Sequence, residues 1–287
     1  MYKNKKVILF AFASNDLSNS IYRLNKQAKD TSYYDEIKIH NPNDFDTEMF
    51  QKYKEIISKS KNRGYGYWFW KPYFLRKIMN ETESGDIIHY VDIGCHLQKK
   101  NERFYEYLDL LINSNKWILA FQYYVDKKKF PNDIFFSERE EFKYTKADLL
   151  DYFNFLNDKK ITHTPQFWAG SFFLVKTKVS QNFVNEWINI FEKKIDLIND
   201  TNSNIENLEG FIENRHDQSA FSLLCKKYKI DALSAYECEW GEKKNQRTWE
   251  HNIDNPILAK RDLKYNILRR FINRQIRTFN RYKKKFF

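Results

Sequence analysis

Four short apolar runs decide most of what this chain can become: "KVILFAFA" at 6–13, "DIIHYV" at 86–91, "WILAFQ" at 117–122 and "SFFLVK" at 171–176. Each has the length of a strand buried on both faces, and each is bounded by polar or turn-forming residues. Between them the apolar residues fall at helical spacing instead, as Ile21, Leu24 and Ala28 do after the first run. Strands alternating with helices predict an α/β domain with a mainly parallel sheet flanked by helices. Two weaker strands, "DEIKIH" and "IDALSA", extend the set. Helices are predicted over 46–58, with Asp46 as N-cap, and over 72–82, with Pro72 in the first turn. Others follow over 102–112, 179–193 and 216–229, and one more after Thr145 in "TKADLLDYFNFL". Residues 196–210 read as a polar, Asn-rich loop.

At 287 residues the chain can bury a substantial core, and no repeat or Gly/Ser linker divides it before residue 260. We therefore expect one domain at 1–259 and a distinct tail at 260–287. Charge separates the two. Of the net +11, the tail carries eleven Lys/Arg against Asp262 alone, which leaves +1 for the body. A nearly neutral body lacks the basic face that nucleic acid requires, so nucleic acid is not an expected partner. In the tail, Leu268, Phe271, Ile272, Ile276 and Phe279 keep helical spacing among Arg269, Arg270, Arg274, Arg277 and Arg281. That pattern predicts a basic amphipathic helix suited to an anionic membrane surface; a helix docked on the body and a nucleic-acid patch are the alternatives. Cys95, Cys225 and Cys238 are odd in number and have no metal-ligand spacing, which fits a reducing, cytoplasmic setting. The first apolar run is too short for a signal peptide or a membrane span.

In open α/β sheets, ligands bind beyond the carboxyl ends of the strands, and three stretches fall there. Asp92 ends an apolar strand just before Ile93 and Gly94. Its carboxylate could hold a divalent cation or a ribose hydroxyl, while Gly94 admits close approach of a diphosphate; the plainer reading is a turn-capping Asp. In "NRHDQSAF", His216, Asp217 and Gln218 open a helix whose N-terminus suits phosphate, or simply cap it. In "QFWAGSFFLVK", Ala169 and Gly170 place small side chains at a strand entry, either for a ligand or for tight packing. A fourth stretch, "RGYGYWFWKPY" at 63–73, holds two of only seven glycines among six aromatic residues. Glycine there lets the loop bend sharply or pass close to a ligand, and Phe69 and Tyr73 read as core.

Together and in order, "GYGYWFWKPY", "GDIIHYVDIGC", "EFKYTKAD", "WAGSFFLVK" and "NRHDQSAFSLL" resemble GT-A-fold bacterial glycosyltransferases of the capsule and O-antigen cluster type. They are distantly similar to glycosyltransferase family 8. The resemblance spans about residues 5–241. It implies transfer of a sugar from a nucleoside diphosphate sugar, UDP-linked first, to a hydroxyl of a glycan or lipid-linked glycan, with retention preferred. Asp92 would then hold Mn²⁺ or Mg²⁺ together with His251, or with His216 as the other choice, although Gly94 stands where the family has a second carboxylate. Asp217 and Gln218 would lie at the reacting carbon, with Asp217 the base if the reaction inverts. Phe12, Ala13 and Asn15 would read the nucleotide, and Ala169, Gly170 and His216 would line the donor. Arg63 and Lys71 would meet the diphosphate, beside Tyr65, Tyr67 and Trp68. The tail would then hold the enzyme on the cytoplasmic face of the inner membrane. A rival expectation is a nucleotide-sugar-binding protein that has lost catalysis, as the missing second carboxylate suggests.

Overall fold

The computed structural model describes residues 1–14, 17–60 and 63–260. Asn15 and the tail beyond residue 260 lie outside them. The first half runs β1 (Val7–Phe12), α1 (Ser18–Thr31), β2 (Glu36–His40), α2 (Thr47–Lys59), α3 (Gly64–Tyr67), α4 (Trp70–Glu81), β3 (Ile87–Val91), β4 (His96–Leu97), α5 (Asn101–Asn113) and β5 (Ile118–Gln122). The second half adds α6 (Glu141–Tyr144), α7 (Ala147–Tyr152), α8 (Lys159–Thr162), β6 (Phe167–Val175), α9 (Lys178–Lys193), α10 (Asp217–Lys227) and β7 (Asp231–Ser234). Three short strands close it: β8 (Gly241–Lys243), β9 (Gln246–Thr248) and β10 (Ile257–Leu258).

Six strands form the central sheet in the order β2-β1-β3-β6-β5-β7. All neighbours are parallel except β6, which runs antiparallel to both β3 and β5. The expected mainly parallel α/β sheet is thus what the chain forms. Its four inner strands, β1, β3, β6 and β5, are buried on both faces because the side-chain period of two feeds two separate cores. Ile8, Phe10 and Phe12 join Tyr90, Phe172 and Leu174 on one face, under α4, α9 and α10. Val7, Leu9 and Ala11 join Val91, Phe121 and Phe173 on the other, under α1 and α5.

Sequence spacing overlooked the shorter pieces. Strand β10 pairs with β4, and β8 pairs with β9 in a small hairpin. Two expected caps are used differently. Asp46 occupies the N-cap position of α2 but accepts hydrogen bonds from Tyr73 Oη at 2.7 Å and Lys77 Nζ at 3.0 Å instead of capping it. Thr145 gives its hydroxyl to Glu141, 2.7 Å away, and α7 starts at Ala147.

That Glu141 anchors a buried polar network. It pairs with Lys226 of α10 at 2.9 Å, and it accepts from Ser222 and, at 3.2 Å, from Gln166 beside β6. Neither charge of the pair is exposed to solvent, so removing one partner strands the other.

The aromatic stretch resolves into a single left-handed turn. Gly64, Tyr65, Gly66, Tyr67 and Trp68 all have positive φ, at 57°, 50°, 88°, 55° and 65°. Side chains in that region cost roughly 1–2 kcal/mol each, so two glycines are the least that such a run can use. Trp68 folds back over Gly64, in space that a Cβ would fill. The turn is held by Tyr67 N–H to the Arg63 carbonyl at 2.9 Å and by Trp70 Nε1 to the Gly64 carbonyl at 2.9 Å.

Two expectations follow. Lys226→Met should destabilise the fold by about 3–5 kcal/mol in urea titrations, with Glu141→Gln/Lys226→Met recovering part of the loss. Gly66→Ala should cost roughly 1–3 kcal/mol, because its Cβ would lie 2.8 Å from the Phe69 ring at a φ that alanine resists.

Candidate active site

The carboxyl ends of β1, β3, β5 and β7 and the amino end of β6 share one edge of the sheet, because β6 alone is reversed. A cleft of about 610 Å³ opens there. It collects Phe12 from β1, Asp92 and Gly94 after β3, Ala169 and Gly170 in β6, and His216, Asp217 and Gln218 at the head of α10. Four stretches far apart in the sequence therefore meet in one place.

Lys71 stands at the centre. Its ammonium is buried and donates to Asp217 Oδ2 at 2.6 Å and to the Ala169 carbonyl at 2.9 Å. Asp92 Oδ1 lies 3.8 Å away, and the ring of Tyr90 lies 4.9 Å from the same nitrogen. Two of the three N–H groups are thus committed, leaving one for Asp92 or for a ligand between them. The two carboxylates differ in setting. Asp92 is 41 % exposed and accepts from Tyr90 Oη, whereas Asp217 is 6 % exposed. Burial pushes Asp217 up to about 6, with the charge of Asp92 adding to the rise and Lys71 opposing it.

The walls are aromatic. Phe12 stacks on Trp70 with ring centres 4.2 Å apart, and Tyr65 and Trp68 line the cleft beside them. Gln218 donates to Gln166 Oε1 at 2.9 Å, which ties the site to the Glu141 network behind it. His216 hydrogen-bonds the Ile198 carbonyl through Nδ1 at 2.6 Å, and burial lowers its pKa. A neutral ring follows, with Nε2 left as an acceptor.

Several expected site residues sit elsewhere. Tyr67 is buried and donates to Asp200 at 3.0 Å, so the turn sends it away from the cleft that Tyr65 and Trp68 line. Arg63 reaches the cleft but pairs with the same Asp200 at 3.0 Å. Ala13 is buried, with its N–H on the His40 carbonyl. His251 does not line the cleft: its Nε2 meets the Glu239 carbonyl at 3.0 Å and its ring packs edge-on to Phe136.

The expected Asp92 and His251 ligand pair is therefore not brought together. Among the described residues, no group of three or more His, Cys, Asp or Glu is arranged to hold a metal ion. Asp92 instead faces an ammonium, which a divalent cation at that carboxylate would repel. These residues as arranged do not fit Mn²⁺ or Mg²⁺.

Sequence reading missed Arg139, Glu239, Trp240 and Arg247, which also line the cleft. Arg139 sits in a loop without motif, and its packing on Tyr123, 4.0 Å from the ring centre, together with the Gln166 N–H on its carbonyl at 2.7 Å, brings it to the end of β5.

No family model matches the chain, and no curated protein does. Among solved structures it is similar to mouse xyloside xylosyltransferase 1 in its apo form, at 10 % identity over 81 % of this chain and 86 % of that one, with a TM-score of 0.42. It is similar to a glycosyltransferase involved in glycosylation of the major capsid of PBCV-1, at 8 % identity over 90 % and 95 % of the two chains, with a TM-score of 0.44. The galactosyltransferase LgtC, in complex with donor and acceptor sugar analogs, gives 12 % identity, 82 % and 75 % coverage and a TM-score of 0.38. With every one of these scores below 0.5, the chemistry has to be read from the site itself.

Proposed function

We propose that the chain is a glycosyltransferase that takes a nucleoside diphosphate sugar, UDP-linked first, and passes the sugar to a hydroxyl of a growing surface glycan. One observation carries this reading. A buried ammonium is clamped between two carboxylates and a strand carbonyl at the ligand-binding edge of an α/β sheet, inside an aromatic-walled cleft. A sugar needs that combination, since carboxylates and amides bind its hydroxyls while aromatic faces cover its apolar side. The motifs shared with capsule and O-antigen enzymes support a surface-glycan acceptor. The basic amphipathic pattern at 260–287 supports a site of action at an anionic membrane surface, and no helix among the described residues is long and apolar enough to cross one.

Bond cleavage leaves positive charge on the anomeric carbon and negative charge on the departing diphosphate. Lys71, Asp92 and Asp217 together carry one net negative charge, which favours the first. The remaining N–H of Lys71 and the Arg63 guanidinium at the rim favour the second. Asp217 is held by Lys71 and shielded from solvent, so it is poorly placed to take a proton from an acceptor. That supports retention, in which the acceptor's proton passes to the leaving diphosphate oxygen as the new C–O bond forms on the same face. No step is routed through a metal.

The rival, a donor-binding protein without turnover, draws on the lone Asp92. It predicts the same binding and no transfer.

Thermal stability should rise with one nucleoside diphosphate from a panel of UDP, GDP, CDP and dTDP, equally in EDTA and in Mn²⁺. A response to none of them would end the donor reading, and strict dependence on Mn²⁺ would return a metal to the site. Lys71→Met and Asp217→Asn should each lower kcat/KM at least about 100-fold.

Asp217 also sets the pH response. Its ionised form holds Lys71, so turnover should fall as pH drops through about 6 and lose that step in Asp217→Asn. Stability runs the other way. The folded state holds this proton more tightly than the unfolded chain, so the group's favourable contribution is complete below about 4 and lost as pH rises through about 6. The margin of wild type over Asp217→Asn in urea should narrow between those pH values.

A further inference from the structure

The far end of the cleft carries charge that the donor chemistry does not use. Arg139 and Arg215 both line it. Arg139 is 7 % exposed, lies flat on Tyr123, and leaves Nη1 buried without a hydrogen-bond partner. Its nearest carboxylate contact is Glu239, 3.9 Å from Nη2 and beyond hydrogen-bond range. Arg215 lies on Tyr144 at 4.2 Å, and its Nε is likewise buried without a hydrogen bond, 3.4 Å from Glu213. Burial first, then the charge of Arg139, lowers the pKa of Arg215. Arg139 is buried and Arg215 a quarter exposed, each with a carboxylate nearby but not hydrogen-bonded, so unfilled N–H groups remain for a further anion.

Position separates this pair from the nucleotide. Arg139 is fixed at the end of β5 by Tyr123 and by Gln166 N–H on its carbonyl at 2.7 Å. Phe12 marks the end of β1, three strands away in the sheet order. At about 4.8 Å per strand that is roughly 14 Å. Asp217 and Gln218 lie between the two ends, where a sugar would change hands.

We propose that Arg139 and Arg215 form an anion subsite that receives a carboxylate or phosphate on the acceptor, so that the enzyme extends an acidic glycan. The proposal rests on the donor reading above. A planar fork paired with an oxyanion gives orientation as well as affinity, and so selects which hydroxyl is presented.

The test is calorimetric titration of the full chain with inorganic phosphate and with glucuronate, each with and without saturating UDP. Either anion should bind in the presence of UDP. Arg215→Gln should weaken that binding at least about tenfold, and Arg215→Lys should restore part of it, both with unchanged UDP affinity. Near-ultraviolet circular dichroism checks that the variants are folded. If Arg215→Gln is not folded, a weakening in Arg215→Lys alone, with UDP affinity kept, carries the test.

Preference for phosphate over glucuronate, or the reverse, would tell which acid the acceptor bears. Exclusion of both anions by UDP, with weaker UDP binding in Arg215→Gln, would assign the arginines to the donor diphosphate and overturn the subsite while leaving the transferase standing. Binding of UDP but of neither anion would overturn it as well. Arginine-dependent anion binding with no response to any nucleotide would instead keep the subsite and remove the donor reading.

Discussion

The ion pair of Lys71 and Asp217 is the constraint on which the rest of this site depends. It joins the first turn of α4 to the first turn of α10, and through the Ala169 carbonyl it pins both to β6. Burying two charges costs more than their attraction returns unless the donors are met, and here two of the three Lys71 N–H groups are, with Asp92 3.8 Å from the nitrogen. Burial raises the pKa of Asp217 to about 6, although Lys71 opposes the rise. A chain selected for stability alone would fill this space with leucine. Keeping a strained charge pair at a ligand-binding edge is what a fold does where chemistry is needed.

Around that pair, buried polar groups are satisfied in relay. Glu141 holds Lys226, Thr145 and Gln166; Gln166 receives Gln218; and Gln218 borders the cleft. As a chain they fix the orientation of an amide that would otherwise rotate freely in the pocket. The aromatic side works by shape instead. The left-handed turn sorts three neighbouring rings, with Tyr65 and Trp68 to the cleft and Tyr67 to Asp200.

Much of this was legible in the sequence, and the reasons are specific. Strands buried on both faces announce themselves as unbroken apolar runs, so β1, β3, β5 and β6 were plain. Strands β4 and β10, two residues each, bury too little to leave a pattern. Asp92, Asp217 and Lys71 stand at element ends, where polarity breaks a periodic run and draws notice. Arg139 breaks nothing, because it lies in a loop that is polar already. The two glycines of the aromatic stretch signalled an unusual backbone but not its hand, which only the packing of Trp68 over Gly64 decides. His251 misled because a histidine in a polar stretch looks the same whether it faces a ligand or the Glu239 carbonyl.

The reversal of β6 has a further consequence, one that concerns how the protein is made. Strand β3 pairs with β1 soon after both are synthesised, but its other edge belongs to β6, which begins about 75 residues later. At roughly 5–20 residues per second, a ribosome takes on the order of 4–15 s to supply it. For that interval a strand of five buried residues, Ile87–Val91, presents an open hydrogen-bonding edge to its surroundings. His89 in that strand hydrogen-bonds two partners, Tyr34 and Ser171, which flank it in time: one already made, the other still to come. The nascent chain thus carries its own unfinished seam, and the same strand that completes the edge of the cleft is the one that closes it.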